Sequence, residues 1–152
     1  MIYLLDTDTL IYMARGLKIS SPQNERQKKG RQLAERIMER CVKQQVAGDD
    51  VGLSAVTIAE LEFGAHQSGD YPKEIVAVRK ILTPFIAYDF DASGCAENYG
   101  EIRHALETPG KTIGAMDLLI AAHALALGAT LVTNNTGHFS RVPDLLSANW
   151  TA

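Results

Sequence analysis

Short apolar runs closed by polar or turn-forming residues alternate along this chain with longer stretches in which apolar positions recur every three or four residues. The first run, IYLLD at residues 2–6, has no polar alternation, as expected for a strand buried on both faces of a parallel sheet. Residues 51–56, 85–90 and 129–133 read in the same way, and residues 145–150 read as a short last strand. The helical period predicts a first helix over 7–15, with Asp8 as its N-cap and Gly16 as its stop. After a loop at 20–24, Leu33, Ile37 and Cys41 mark one face of a helix over about 26–46. Thr57 opens a further helix through Ile58, Leu61 and Ala65, which Tyr71-Pro72 breaks before another over 73–82. Two more follow, one ending near Thr108-Pro-Gly110 and an apolar one over 114–127. This alternation predicts an α/β fold with a mainly parallel central sheet of about four to five strands and helices on both faces. Ligands of such sheets bind beyond the carboxyl ends of the strands, here the loops after Leu5, Val56 and Val132.

Those loops carry Asp6 and Asp8, Glu60, and Asn134-Asn135. A further carboxylate, Asp117, interrupts the apolar run GAMDLLIAAHA, where its burial is costly unless something positive pairs with it. The nearest Lys or Arg in sequence is Lys111. Carboxylates from three element ends suit a hard divalent cation, because Mg²⁺ takes oxygen ligands, often one or two carboxylates plus water. Each residue also has a purely structural role open to it. Asp6 or Asp8 can cap a helix, and Thr57-x-x-Glu60 spells a capping box. Asp117 suits the positive end of a helix dipole, and Asn135 suits a turn. Glu62 reads as a solvated helix residue. The four histidines show no HxH or HExxH spacing, so His123 reads as a helix-face residue and His66, His104 and His138 as surface or loop residues. Arg103 and the Lys111 loop are candidates for a phosphate contact.

Composition narrows the setting. A chain of 152 residues with 46% hydrophobic side chains can bury its own core, and Cys41 and Cys95 form no CxxC pair, so no disulfide framework is expected. No apolar run is long enough to span a bilayer and residues 1–8 lack a basic leader, which together predict a soluble protein of a reducing cytoplasm. The net charge of −3 hides an asymmetry: residues 18–43 hold eight basic and three acidic side chains, and the rest of the chain is strongly acidic. Lys29, Arg36, Arg40 and Lys43 share one arc of the predicted 26–46 helix. The arc is either a solvated face or a grip for a phosphate backbone.

The segments LLDTDTLIY, LSAVTIAELEFGA, GAMDLLIAAHAL and LVTNNTGHFSRVPDL, in this order, resemble the four motifs of the PIN-domain ribonucleases, and most closely those of VapC-type toxins. The resemblance spans nearly the whole chain and implies a single PIN-like domain over 1–152, with the basic helical segment at about 18–50 as its departure. It implies that Asp6, Glu60 and Asp117 form an acidic triad holding Mg²⁺ or Mn²⁺, Glu60 through water. Asn135 takes the fourth position, with Asp8 and Thr133 in support. His138 stands at a place often acidic in similar toxins, and the 54 residues from Asp6 to Glu60 exceed the usual separation. The implied activity is metal-dependent hydrolysis of RNA leaving 5′-phosphate and 3′-hydroxyl ends. A VapB-like antitoxin whose tail enters the acidic groove and a homodimer are the implied partners. On that reading the arc of Lys29, Arg36, Arg40 and Lys43 holds RNA, or serves dimer or antitoxin contacts. Two other functions share some of these residues. A haloacid-dehalogenase-type phosphatase would use Asp6 of Asp6-Thr-Asp8 as nucleophile, but expects a lysine and an acidic pair downstream that LVTNN lacks. A non-catalytic PIN-like RNA-binding protein would not require the intact acidic set.

Overall fold

The apolar runs do form strands: β1 (Ile2–Leu5), β2 (Asp50–Ser54), β3 (Ile86–Tyr88), β4 (Thr130–Val132) and β5 (Leu146–Ala148). In this computed structural model, which describes residues 1–152, they make one sheet in the order β3-β2-β1-β4-β5, every pair parallel. Seven helices connect them: α1 (Thr7–Leu17), α2 (Glu25–Val46), α3 (Ala55–Gln67), α4 (Tyr71–Leu82), α5 (Gly94–Glu107), α6 (Ala115–Leu127) and α7 (Thr136–Phe139). No helix is long and apolar enough to cross a membrane.

Strand pleating sends successive side chains to opposite faces, and the two cores follow that alternation. Leu4 and Leu131 pack with Ile102, Leu106 and Ile120 of α5 and α6, whereas Leu5, Leu53 and Val132 pack with Leu10, Met13, Ile37 and Cys41 of α1 and α2. Each fully buried leucine contributes on the order of 1.5–3 kcal/mol, so a one-residue slip of β1 would forfeit both sets. The central strand β1 pairs with β2 on one side and with β4 on the other. The chain therefore reverses its direction of sheet growth at β1, and a crevice opens beyond its carboxyl end. Asp6 is the first residue in that crevice, its amide donating to the Val132 carbonyl at 3.0 Å.

Several helix ends depart from the sequence expectation. Asp6, not Asp8, is the N-cap of α1, its side chain accepting from the Thr9 amide at 2.8 Å. Gly16 does not stop α1, which runs on to Leu17. A Cβ on Gly16 would lie 2.4 Å from the Ala34 Cβ and 2.6 Å from the Gly30 carbonyl oxygen, so its glycine permits the close crossing of α1 and α2. Helix α3 begins two residues earlier than expected, with Ser54 as N-cap, which leaves Thr57 buried inside the first turn and forms no capping box. Pro72 lies in the first turn of α4, which Asp70 caps, so Tyr71-Pro72 opens a helix as well as separating two.

Candidate active site

Asp6 is buried to 3% exposure at the end of β1, and no lysine or arginine pairs with it. Burial pushes its carboxyl above the ordinary carboxylate value. Hydrogen bonds from Thr133 and Thr9 work the other way, and the charge of Asp8 adds to the rise. Thr133 is itself fully buried at the end of β4, the strand beside β1, and also accepts the Asn135 amide at 2.9 Å.

Glu60 reaches the same crevice from α3. Its Oε1 accepts the Thr7 hydroxyl at 2.8 Å, and the Thr7 hydroxyl also lies 2.9 Å from that of Thr57. Two helices that follow the neighbouring strands β1 and β2 thus meet through hydroxyl groups, one on the first turn of α1 and one on the first turn of α3. The Glu60 side chain is aimed by Thr7 and does not reach back to the helix terminus.

Asp117 lies half-buried in the first turn of α6, where burial raises its carboxyl above the usual range. A nearby His138 works against that rise, and the charges of Asp8, Asp6 and Glu60 all add to it. The four carboxylates therefore share one electrostatic neighbourhood. The Nδ1 of His138 lies 3.4 Å from an Asp117 oxygen and 2.9 Å from the Asn135 amide nitrogen. Asn135 precedes α7 without capping it by its side chain; it enters the site through His138 on one side and the Thr133 hydroxyl on the other. A continuous polar chain runs Asp6–Thr133–Asn135–His138–Asp117. Thr7 is the member that sequence reasoning missed, and His138, noted there only for its place in the last motif, was otherwise read as a surface or loop residue. Their available signals were Thr7 beside Asp6 and the Asn135-to-His138 spacing of three residues, one helical turn.

The donors here are carboxylate and hydroxyl oxygens, and the only nitrogen base near the carboxylates is His138. Such a set fits a hard cation of the Mg²⁺ or Mn²⁺ kind, and the buried, uncompensated charge of Asp6 and Asp117 is what a cation would neutralise. No three acidic side chains close on a common point as they stand. The Glu60 carboxylate is turned toward the Thr7 hydroxyl.

The remaining candidates fall elsewhere. Lys29, Arg40 and Lys43 are exposed on α2 and pair with no carboxylate, while Arg36 donates to the Thr151 carbonyl at 3.0 Å. Arg103 is held by Glu107 and Tyr99 on α5, and Glu62 by Tyr71 and Arg79. His123, read as a helix-face residue, lies on α6 with its face turned inward. It is fully buried, its Nδ1 2.7 Å from the Ser54 hydroxyl, and burial holds it below the ordinary imidazole value.

The PIN domain family model matches residues 3–145. The chain belongs to the PIN-domain family. It is 35% identical over 150 residues to Ribonuclease VapC2 of Rickettsia felis, covering 99% of this chain and 98% of that protein. The tRNA(fMet)-specific endonuclease VapC of Shigella flexneri is 34% identical over 99 residues, 65% of this chain and 74% of that one. Among solved structures, VapBC-1 from nontypeable Haemophilus influenzae matches all of both chains at 33% identity with a TM-score of 0.81. The PIN fold accounts for the parallel sheet.

Proposed function

We propose that this protein is a divalent-metal-dependent endoribonuclease acting as the toxin of a toxin–antitoxin pair. The observation that carries this reading is a cluster of four carboxylates without a lysine or arginine partner, set at the switch point of a PIN fold. Full-length similarity to a named ribonuclease supports it. Asp6 and Asp117 are the ligands for Mg²⁺, or Mn²⁺ in its place, with Glu60 acting through water and Asp8 adding negative charge. Bound there, the ion lowers the pKa of a water and polarises the scissile phosphate. Thr133 orients Asp6, Thr7 orients Glu60, and Asn135 with His138 fixes the remaining side of Asp117. The substrate is RNA, and a transfer RNA is the substrate named for the Shigella flexneri relative.

The partner is a VapB-like antitoxin, because the similar solved structure is a VapBC complex. A cytoplasmic homodimer completes the reading. The exposed cations Lys29, Arg40 and Lys43, with Arg36 beside them, contribute contacts to RNA phosphates or to those protein partners. A phosphatase using Asp6 as nucleophile fits less well, since an Asp6 oxygen is engaged by the Thr9 amide and no lysine pairs with the cluster. The test is incubation of the purified protein with total transfer RNA in Mg²⁺, in Mn²⁺ and in EDTA. Cleavage with either metal that EDTA abolishes is the expected result. Intact RNA in all three, or cleavage that EDTA leaves unchanged, would reject the reading.

A further inference from the structure

Two grooves flank α1, and they differ in character. One, of about 190 Å³ between α1, α3 and α4, is mostly apolar, and its Lys18 is paired with Glu74 at 3.1 Å. The other, of about 540 Å³, lies between α1 and the start of α2 and is lined mostly by polar and charged residues, with Arg15 bordering both grooves. Tyr12, Arg15 and Arg26 line it, and neither arginine has a carboxylate partner or a hydrogen bond to the rest of the chain. Asn24 and Gln27 also line it, but their side-chain oxygens are already occupied, by the Gln27 and Gln23 amides. The groups left free to meet a ligand are therefore one aromatic face, two guanidiniums and the side-chain NH2 donors of Asn24 and Gln27, all of them donors or apolar surface and none an anion.

Their placement relative to the acidic cluster is set by helix geometry. Asp8, Tyr12 and Arg15 are separated by four and three residues, so they form one exposed stripe along α1. At 1.5 Å per residue, Tyr12 lies about 6 Å and Arg15 about 10 Å along the axis from Asp8. Phosphates advance at least about 3.4 Å each along a strand, so the stripe spans at most about three nucleotides. The stripe also changes sign, from the carboxylate of Asp8 at the site to the guanidinium of Arg15 away from it.

We propose that this groove is a subsite for single-stranded RNA next to the scissile phosphate, in which Tyr12 stacks on a base and Arg15 and Arg26 hold the following phosphates. The inference rests on the ribonuclease reading and adds where the strand runs. Aromatic stacking on an unpaired base is sequence-tolerant, while a guanidinium fork fits a phosphate in two-point contact. A duplex cannot use the subsite, because its bases present no free face to Tyr12.

The test is binding of a fluorescein-labelled, 12-nucleotide, mixed-sequence single-stranded RNA in EDTA, where nothing is cut, over a range of salt. Tyr12→Ala is expected to weaken binding about 5- to 150-fold, from the 1–3 kcal/mol of one base stack. Tyr12→Phe keeps the ring and should stay within about twofold of the parent. The double change Arg15→Gln with Arg26→Gln should flatten the salt slope by about 1.4, at about 0.7 per phosphate on a single strand. Lys73→Gln with Lys80→Gln removes the same charge from α4 and should leave the slope in place. Equal slope losses in the two double variants would overturn the subsite in favour of general attraction, as would equal losses for Tyr12→Ala and Tyr12→Phe. Failure of the ribonuclease reading is seen separately, as intact RNA when the parent protein is given Mg²⁺ or Mn²⁺.

Discussion

Asp6, at the end of β1, and Glu60, on α3 after β2, face one crevice, yet their carboxylates are supported in different ways. Asp6 and Asp117, linked through Thr133, Asn135 and His138, keep buried negative charge with no lysine or arginine nearby. Glu60 is half-buried and is aimed by a hydroxyl pair, Thr7 and Thr57, drawn from two helices. The first arrangement stores repulsion that a cation would relieve, so its stability depends on what is bound. The second spends hydrogen bonds on orientation and depends little on charge. The two sides of the crevice should therefore respond differently to the same kind of substitution.

The largest difference is expected at Asp117. Its carboxyl sits above the unfolded value of 3.8, so ionisation is disfavoured by the fold. A group with that sign contributes stability below about pH 3.8, and the contribution is lost as pH rises through the folded value. At neutral pH, without metal, ionised Asp117 thus works against folding, and Asp117→Asn should melt at the same temperature as the parent or higher. That gain should shrink toward pH 4, as read by melting curves in EDTA. Cleavage should fall by at least about 10²-fold, since charge stabilisation by a metal is worth several kcal/mol. A variant that keeps its cleavage rate and melts several degrees lower would return Asp117 to a structural role.

The Glu60 side should show a smaller loss. Glu60→Gln retains the acceptor for Thr7 but loses the charge, so cleavage should drop about 10- to 100-fold while the melting temperature hardly moves. Thr7→Val keeps the charge and loses its orientation, and about 1 kcal/mol of lost hydrogen bonding corresponds to about a fivefold slower rate. Steady-state cleavage of one RNA by both variants checks the order. Were Thr7→Val the slower enzyme, orientation would outweigh charge, and the distinction between the two sides would collapse.

The legible and hidden parts of this site follow the same physics. β1 and β4 could be read because a strand buried on both faces leaves a continuous apolar run, and Asp117 because a carboxylate inside such a run is conspicuous. Five parallel strands around a central β1 follow from that pattern, because each successive strand is reached through one or two helices. Ser54, Thr57 and Thr7 were hidden, since a small hydroxyl residue at a strand end reads as a cap or turn whichever way it points. Gly16 was misread for a related reason: a glycine late in a helix reads as a stop, and only the neighbouring Ala34 and Gly30 reveal a helix crossing. The polar partner of His123 was hidden because that partner, Ser54, lies 69 residues away.

An equally small effect on rate tests the bridge at His138. Its imidazole connects Asn135 to Asp117, at 2.9 Å and 3.4 Å, from the short helix α7. It belongs to neither strand nor core, so removing it should leave the sheet intact and loosen only the far wall of the crevice. His138→Ala takes one hydrogen-bonding group from Asn135 and the nearest nitrogen base from Asp117. About 1 kcal/mol of lost ordering gives about a fivefold slower cleavage and a melting temperature about 2–4 °C lower in a chain of this size. His138→Gln can still reach Asn135 by hydrogen bonding and should recover most of the rate, with the same fall in repulsion relief at Asp117 as the alanine variant. Comparing the two by cleavage and by melting in EDTA separates the roles. If glutamine recovers the rate, His138 acts by positioning Asn135; if both variants are equally slow, its contact with Asp117 is what matters, and the wall is held by charge after all.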